Sequence, residues 1–200
     1  MQTFMLQTFF HLLSILGAYL LGSLSSAILV CKIMRLPDPR TEGSGNPGTT
    51  NVLRIGGKKA ALFTLLGDML KGLVPVLIAK YLGFSSLEIA LIAFAAFIGH
   101  LYPLFFRFEG GKGVATLLGC LLALSWPATL YWIIIWAAIA YLFRYASLAS
   151  LIASLLAPFF LWYFTNEFVY VITFMIMGFF LLYRHRSNIV NLANGTERRI

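Results

Sequence analysis

Acidic side chains are nearly missing from this chain: Asp and Glu supply 7 of its 200 residues and Lys and Arg 15. Charged residues make up 11%, against about 25% in soluble domains, while 60% of the side chains are apolar. So little charge cannot wrap so much apolar surface in water, which excludes a soluble globule. A mean hydropathy of +0.87 excludes an expanded, disordered chain as well. Cysteine is equally sparse. Cys31 and Cys120 both lie in apolar runs, with neither the ligand spacing of a zinc site nor a second pair for a disulfide framework. They read as small buried hydrophobes. The first Lys or Arg is Lys32, so the start of the chain lacks the basic region of a signal peptide and reads as an uncleaved first span. No repeat, low-complexity tract or separating linker is visible. The expectation is a single integral membrane domain over residues 1–200.

What the chain does have is apolar length. A membrane-crossing helix needs about 20 apolar residues, and apolar segments cover residues 9–34, 60–82, 87–106, 114–143, 146–165 and 168–183. The fourth would form a helix of about 45 Å, long for one crossing and short for two. Pro127, behind Ser125 and Trp126, should break it. Charge decides the count. With the N-terminus outside and a turn at Pro127, seven spans place Lys32, Arg35, Arg40, Arg54, Lys58, Lys59, Arg107, Lys112, Arg144, Arg184, Arg186, Arg198 and Arg199 on the cytoplasmic side. Lys80 falls outside and Lys71 within a span. Six spans would move Arg144 and the four tail arginines outside, against the positive-inside rule. The expected fold class is therefore all-α: a polytopic membrane protein of seven transmembrane helices with a cytoplasmic C-terminus. The net charge of +8 then follows from topology and attraction to anionic lipid, and no nucleic-acid recognition pattern accompanies it.

Seven spans also gather three polar islands on one face. The first contains Ser44-Gly-Asn-Pro-Gly-Thr-Thr-Asn51 and ends at Arg54. Its glycines expose backbone, Ser44, Asn46, Thr49, Thr50 and Asn51 supply short polar groups, and such a run can turn several N–H groups into one anion-holding concavity. Arg54 can grip two phosphate oxygens through its planar fork. The same composition also suits an ordinary connector. The second, Gly110-Gly-Lys-Gly113, sets Lys112 at the mouth of a helix, where N–H groups and the dipole favour an anion. A tight turn with a topogenic lysine would look similar. It is not a nucleotide-binding P-loop, because Phe106 stands where that spacing needs glycine and Gly113 where it needs Ser or Thr. The third, Arg184-His-Arg-Ser-Asn-Ile189, puts His185 and Asn188 on one helical face, although Arg and His at a membrane end often serve only as anchors.

Other residues have plainer readings. Asp68 and Lys71, one turn apart, should pair within the membrane. His100, near the inner end of the third span, is a structural histidine or a neighbour of the site. Ala149, Ala153 and Ala157 with Ser150 and Ser154 form a small-residue packing face, and Trp126, Tyr131 and Trp132 an outer aromatic belt.

The islands lack the carboxylate or histidine cluster of a metal centre, and no Ser-His-Asp set is evident. A cationic, N–H-rich surface beside the bilayer suits acyl transfer between phosphorylated reactants, driven by positioning and charge stabilisation. The three motifs together resemble the bacterial acyl-phosphate:glycerol-3-phosphate acyltransferases over nearly the whole chain. The resemblance implies an inner-membrane enzyme with its site facing the cytoplasm. It would move a fatty acyl group from acyl-phosphate to the sn-1 hydroxyl of glycerol 3-phosphate, in phospholipid biosynthesis. It implies no cofactor, no metal, no nucleic acid and no obligate protein partner; the partners are the two substrates and membrane lipid. Carried over by motif, Ser44, Arg54, Lys112, His185 and Asn188 are the catalytic candidates. Asn46, Thr50, Asn51, Gly110, Gly111 and Ser150 are the substrate-binding ones, with a substrate phosphate rather than Glu42 or Glu109 taking the proton. The chain departs from the family pattern at Thr49, where Ala is common, and at Asn191, where Arg is. The alternative is a transporter of organic phosphate or another anion, although such sites usually lie near the midplane within repeats.

Overall fold

The structure, a computed structural model, describes residues 2–200, and no strand occurs among them. The helices fall into two compact units, Met1–Ala123 and Leu124–Ile200.

The first unit holds α1 (Gln2–Gly22), α2 (Ser26–Ile33), α3 (Thr49–Tyr81), α4 (Ser86–Leu101), a 3₁₀ turn (Leu104–Phe106) and α5 (Val114–Leu124), whose last residue begins the second unit. Small residues bring the helices together. A Cβ on Gly22 would strike the Ala96 carbonyl, and one on Gly99 the Tyr19 carbonyl, so α1 and α4 meet backbone to backbone with Ala18, Ala93 and Ala96 buried between them. Gly119 of α5 approaches the Met69 carbonyl of α3 in the same way. Such contacts suit a bilayer, where close packing replaces the hydrophobic effect between helices. α4 opens with a capping box: the Glu88 N–H donates to Ser85 Oγ, and the Ser85 N–H to the Glu88 carboxylate, 2.8 Å away.

α1 and α2 are one run bent by 45°. The bend at residues 23–25 frees carbonyls from the helical ladder, and Lys71 Nζ takes that of Leu24 at 2.8 Å. α3 begins eleven residues earlier than the apolar run from residue 60 indicates. Its polar first turns, up to Gly56, continue across a kink at Gly57, whose φ of 74° and ψ of −173° suit a residue without a Cβ. The island around residue 50 thus ends in a helix and is more than a connector.

The second unit holds α6 (Trp126–Phe143), α7 (Ala146–Thr165), α8 (Phe168–Arg184) and α9 (Arg186–Ala193). The break expected at Pro127 occurs, but proline starts a helix instead of ending one. Ser125 is the N-cap and accepts from the Ala128 N–H at 3.3 Å, with Pro127 in the first turn, where its missing N–H costs nothing. Ala149, Ala153, Ala157 and Ser154 are fully buried, as the small-residue face requires. Trp132 departs from expectation. It is 3% exposed and donates its indole N–H to Ser154 at 3.3 Å, so it belongs to the α6–α7 contact and not to an interfacial belt; Trp126 and Tyr131 are exposed.

Among the described residues, four helices are long and apolar enough to cross a membrane, and up to six if each bent pair, α1 with α2 and α8 with α9, counts as one. A seventh would need α5, which has 11 residues and spans about 16 Å, half of a hydrocarbon core of about 30 Å.

Candidate functional site

The first loop is built around Asn51. Its side-chain N–H groups donate to the carbonyls of Pro39 (2.8 Å) and Glu42 (3.0 Å), and its Oδ1 accepts from the Ser44 N–H at 2.8 Å. With both donors and the acceptor engaged and 2% exposure, Asn51 braces the loop from within, whereas the motif casts it as a phosphate contact. A Cβ on Gly43 would strike its Oδ1. At the loop's start Arg40 closes a fork on both Asp38 oxygens, Nη2 to Oδ2 at 2.8 Å and Nε to Oδ1 at 3.1 Å. Those hydrogen bonds hold the Asp38 carboxyl below its usual range. The braced loop presents Ser44, Thr50 and Arg54 on the exposed side. The side chains of Thr50 and Arg54 make no hydrogen bond or ion pair among the described residues. α3 begins at Thr49 with no side-chain cap, so its positive end points into the same loop. Asn51→Asp keeps the acceptor and removes both donors. It should lower stability by about 1–3 kcal/mol through two orphaned carbonyls, read as a drop in thermal midpoint; an unchanged midpoint with weaker substrate binding would instead make Asn51 a direct ligand.

The second loop packs on the first. A Cβ on Gly111 would strike His100 Nε2 and lie 3.0 Å from the Pro47 carbonyl. One on Gly110 would strike the His100 carbonyl, and the Gly111 N–H donates to that carbonyl at 3.2 Å. Arg40 Nη1 lies 3.6 Å from Glu109 Oε2, a second link between the loops. Gly113, at φ 90°, turns the chain into α5 and leaves Lys112 just before its N-terminus. Two helix starts and the cations Arg54 and Lys112 thus belong to one pair of packed, glycine-rich loops.

Beneath them lies a buried charge cluster. Lys71 Nζ is 2.9 Å from Asp68 Oδ1, and His100 Nδ1 is 3.6 Å from the same oxygen; all three side chains are 6% exposed or less. The expected intramembrane pair therefore exists, and His100 connects it to the floor of the Gly110–Gly111 turn.

In the second unit α8 and α9 meet at His185 with a 62° bend. His185 is 3% exposed, and its Nδ1 lies 2.9 Å from the Leu181 carbonyl. A carbonyl only accepts, so this contact puts the proton on Nδ1 and makes Nε2 the acceptor of the neutral ring. Asn188 donates to Glu197 Oε1 at 2.7 Å, and Ser147 Oγ to the same oxygen at 2.6 Å. Glu197 thereby ties the first turn of α7 to α9. One turn further, Ser150 accepts from the Trp136 indole at 3.0 Å.

Ser44, Asn46, Thr50, Asn51, Arg54, Gly110, Gly111 and Lys112 therefore share the first unit, where their loops meet, and Ser150, His185 and Asn188 share the second. Two residues of consequence were not anticipated. Glu197 was legible as the one carboxylate of the tail, but its partner Ser147 is 50 residues away. Trp136 gives no signal in sequence, since it stands in an apolar run like any lipid-facing aromatic.

A family model described as glycerol-3-phosphate acyltransferase matches residues 12–195. The chain is 54% identical over 183 residues to a glycerol-3-phosphate acyltransferase of Methylococcus capsulatus, covering 92% of each chain. It is 50% identical to that of Proteus mirabilis, covering 93% of this chain and 84% of the relative. A solved structure of PlsY, an integral membrane glycerol 3-phosphate acyltransferase in its glycerol 3-phosphate form, superposes with a TM-score of 0.91 at 40% identity, covering 95% of both chains. The lysophosphatidic acid form of PlsY superposes at 0.88, with 39% identity and the same coverage.

Proposed function

The chain belongs to the glycerol-3-phosphate acyltransferase family, and from that premise we propose that it is a multi-pass enzyme of the bacterial inner membrane that acylates glycerol 3-phosphate from acyl-phosphate. The sn-1 hydroxyl oxygen attacks the acyl carbonyl carbon, and the bond from that carbon to the phosphate oxygen breaks. The products are 1-acyl-glycerol 3-phosphate and inorganic phosphate. The leaving phosphate takes the hydroxyl proton, so the protein needs to supply position and positive charge rather than a base. The observation that carries this reading is the pair of packed glycine-rich loops, with Arg54 exposed and Lys112 at the start of α5. In it Ser44, Thr50, Arg54, Gly110, Gly111 and Lys112 hold phosphate, with Asn46 at the turn and Asn51 shaping the loop. His185 and Asn188, helped by Ser150, orient glycerol 3-phosphate. Seven crossings with α5 as the short one, the N-terminus outside and the site on the cytoplasmic face complete the proposal, with the whole chain acting as one catalytic domain.

The test is incubation of purified protein with acyl-phosphate and labelled glycerol 3-phosphate, followed by lipid extraction. Labelled monoacyl product is expected, and none when acyl-CoA replaces acyl-phosphate. Absence of product, with glycerol 3-phosphate accumulating in proteoliposomes, would make the protein a transporter. Lys112→Ala should lower turnover about a hundredfold, the scale of losing one charge-stabilising group; wild-type turnover in that variant would remove Lys112 from the site.

A further inference from the structure

Several hydroxyls in or just after this protein's helices bond backward. Ser14, Ser23, Thr129, Thr165 and Thr173 each donate to the carbonyl four residues earlier, at 2.7–2.9 Å, the usual resort of a helical Ser or Thr in an apolar setting. Ser150 does otherwise. It is 7% exposed, its Oγ accepts from Trp136 Nε1 at 3.0 Å, and its own proton goes to no acceptor among the described residues. The direction of the contact is fixed by chemistry, because an indole nitrogen donates and never accepts. With a lone pair of Oγ taken by the indole, the Ser150 O–H is left to serve as a donor. A buried donor without an acceptor is costly, and the cost is removed when an anionic oxygen arrives.

Ser154 shows that the tryptophan contact alone does not define the site. It stands one turn deeper, fully buried, and takes the Trp132 indole at a longer 3.3 Å. Ser150 instead lies one turn from Ser147, which Glu197 ties to Asn188. The two tryptophans thus provide one donor contact beside the polar end of the unit and one removed from it.

We propose that Trp136 is a positioning residue that fixes Ser150 as a hydrogen-bond donor to a phosphate oxygen of glycerol 3-phosphate. The proposal rests on the assignment of Ser150 to substrate binding made above. Without the indole, the Ser150 hydroxyl is free to rotate its proton back to the Ala146 carbonyl, and the substrate loses a donor held in place.

The experiment is a double-mutant cycle in acyl transfer, with glycerol 3-phosphate and acyl-phosphate varied in turn. Trp136→Phe should raise the KM for glycerol 3-phosphate about fivefold to tenfold, on the scale of one hydrogen bond to a charged group, with kcat within about twofold. The KM for acyl-phosphate should not move. Ser150→Ala should give the same change, and the double variant no more than either single one. Trp132→Phe, which loses the same kind of contact one turn away, should lower the thermal midpoint comparably and leave both KM values alone. Trp136→His, which retains a ring N–H, should recover part of the KM, and it carries the test should Trp136→Phe fail to fold. If Ser150→Ala raises the KM and Trp136→Phe does not, Trp136 has no such role while Ser150 keeps its place at the substrate. If neither variant moves the KM, the assignment of Ser150 fails and the proposal with it. Full additivity, or a change in the acyl-phosphate KM instead, would overturn the proposal.

Discussion

Replacing Asp68 with Leu should destabilise the protein by about 3–5 kcal/mol, the cost of breaking a buried ion pair from one side. Lys71 is 4% exposed, and its ammonium is held by Asp68 at 2.9 Å and by the Leu24 carbonyl at 2.8 Å. Removing the carboxylate leaves a full charge with one neutral acceptor in an apolar surround. Removing both partners together costs far less, because two apolar side chains of similar volume also discard the desolvation of two charges. Asp68→Leu should therefore show a large drop in thermal midpoint in detergent, and Asp68→Leu with Lys71→Met should regain most of it. A single variant no less stable than the double one would mean that the pair is not a coupled unit. The effect should extend to the bend between α1 and α2, since the Lys71 ammonium also closes the carbonyl that the bend exposes.

The pair illustrates what can be read from the chain and what cannot. Two opposite charges three positions apart in an apolar helix announce themselves, because nothing else in a bilayer would neutralise them. The boundaries of α7 and α8 were similarly legible. The apolar runs at 146–165 and 168–183 match α7 and α8 to within a residue, since turns at Arg144 and Asn166, both at positive φ, interrupt the apolar pattern. The start of α3 was not legible. Residues 49–59 hold two threonines, an asparagine, an arginine, two glycines and two lysines, which composition reads as loop. They run into the span behind through a kink at Gly57, while Asn51 in their first turn holds the loop that precedes them. Trp132 and Trp136 were obscured for the opposite reason: in a chain with 16% aromatic residues, periodicity does not say which indoles face lipid and which face a serine.

The candidate site divides in the same way. Residue types and spacing pointed to loops able to hold anions, and the exposed Arg54 and the uncapped start of α3 agree with that chemistry. Spacing could not separate residues that face a ligand from those that hold the loop. Asn51 and Ser44 stand seven residues apart in one motif, yet the asparagine is consumed by backbone partners while the serine lies outside. The same limit applied to Asn188 and Ser147, whose shared acceptor, Glu197, comes from beyond the motif. A motif records which residues serve a loop; three-dimensional contacts decide in what capacity.

Gly111→Ala should cost activity without costing the fold. Its Cβ would strike His100 Nε2 and come within 3.0 Å of the Pro47 carbonyl, so it meets a buried side chain and a backbone group at once. The ring cannot easily withdraw, because its Nδ1 is 3.6 Å from the buried Asp68 carboxylate and its own carbonyl receives the Gly111 N–H. The loop is the part that can move, carrying Lys112 with it. A displacement of about 1 Å at a positioning group can cost about a hundredfold in rate, and a loss of that size in kcat/KM is expected, with a thermal midpoint close to wild type. The cause can be checked by shrinking the obstacle. His100→Ser in the Gly111→Ala background clears the space below the loop and should recover part of the lost kcat/KM. Further loss in the double variant would show that His100 supports the loop rather than merely occupying the space beneath it.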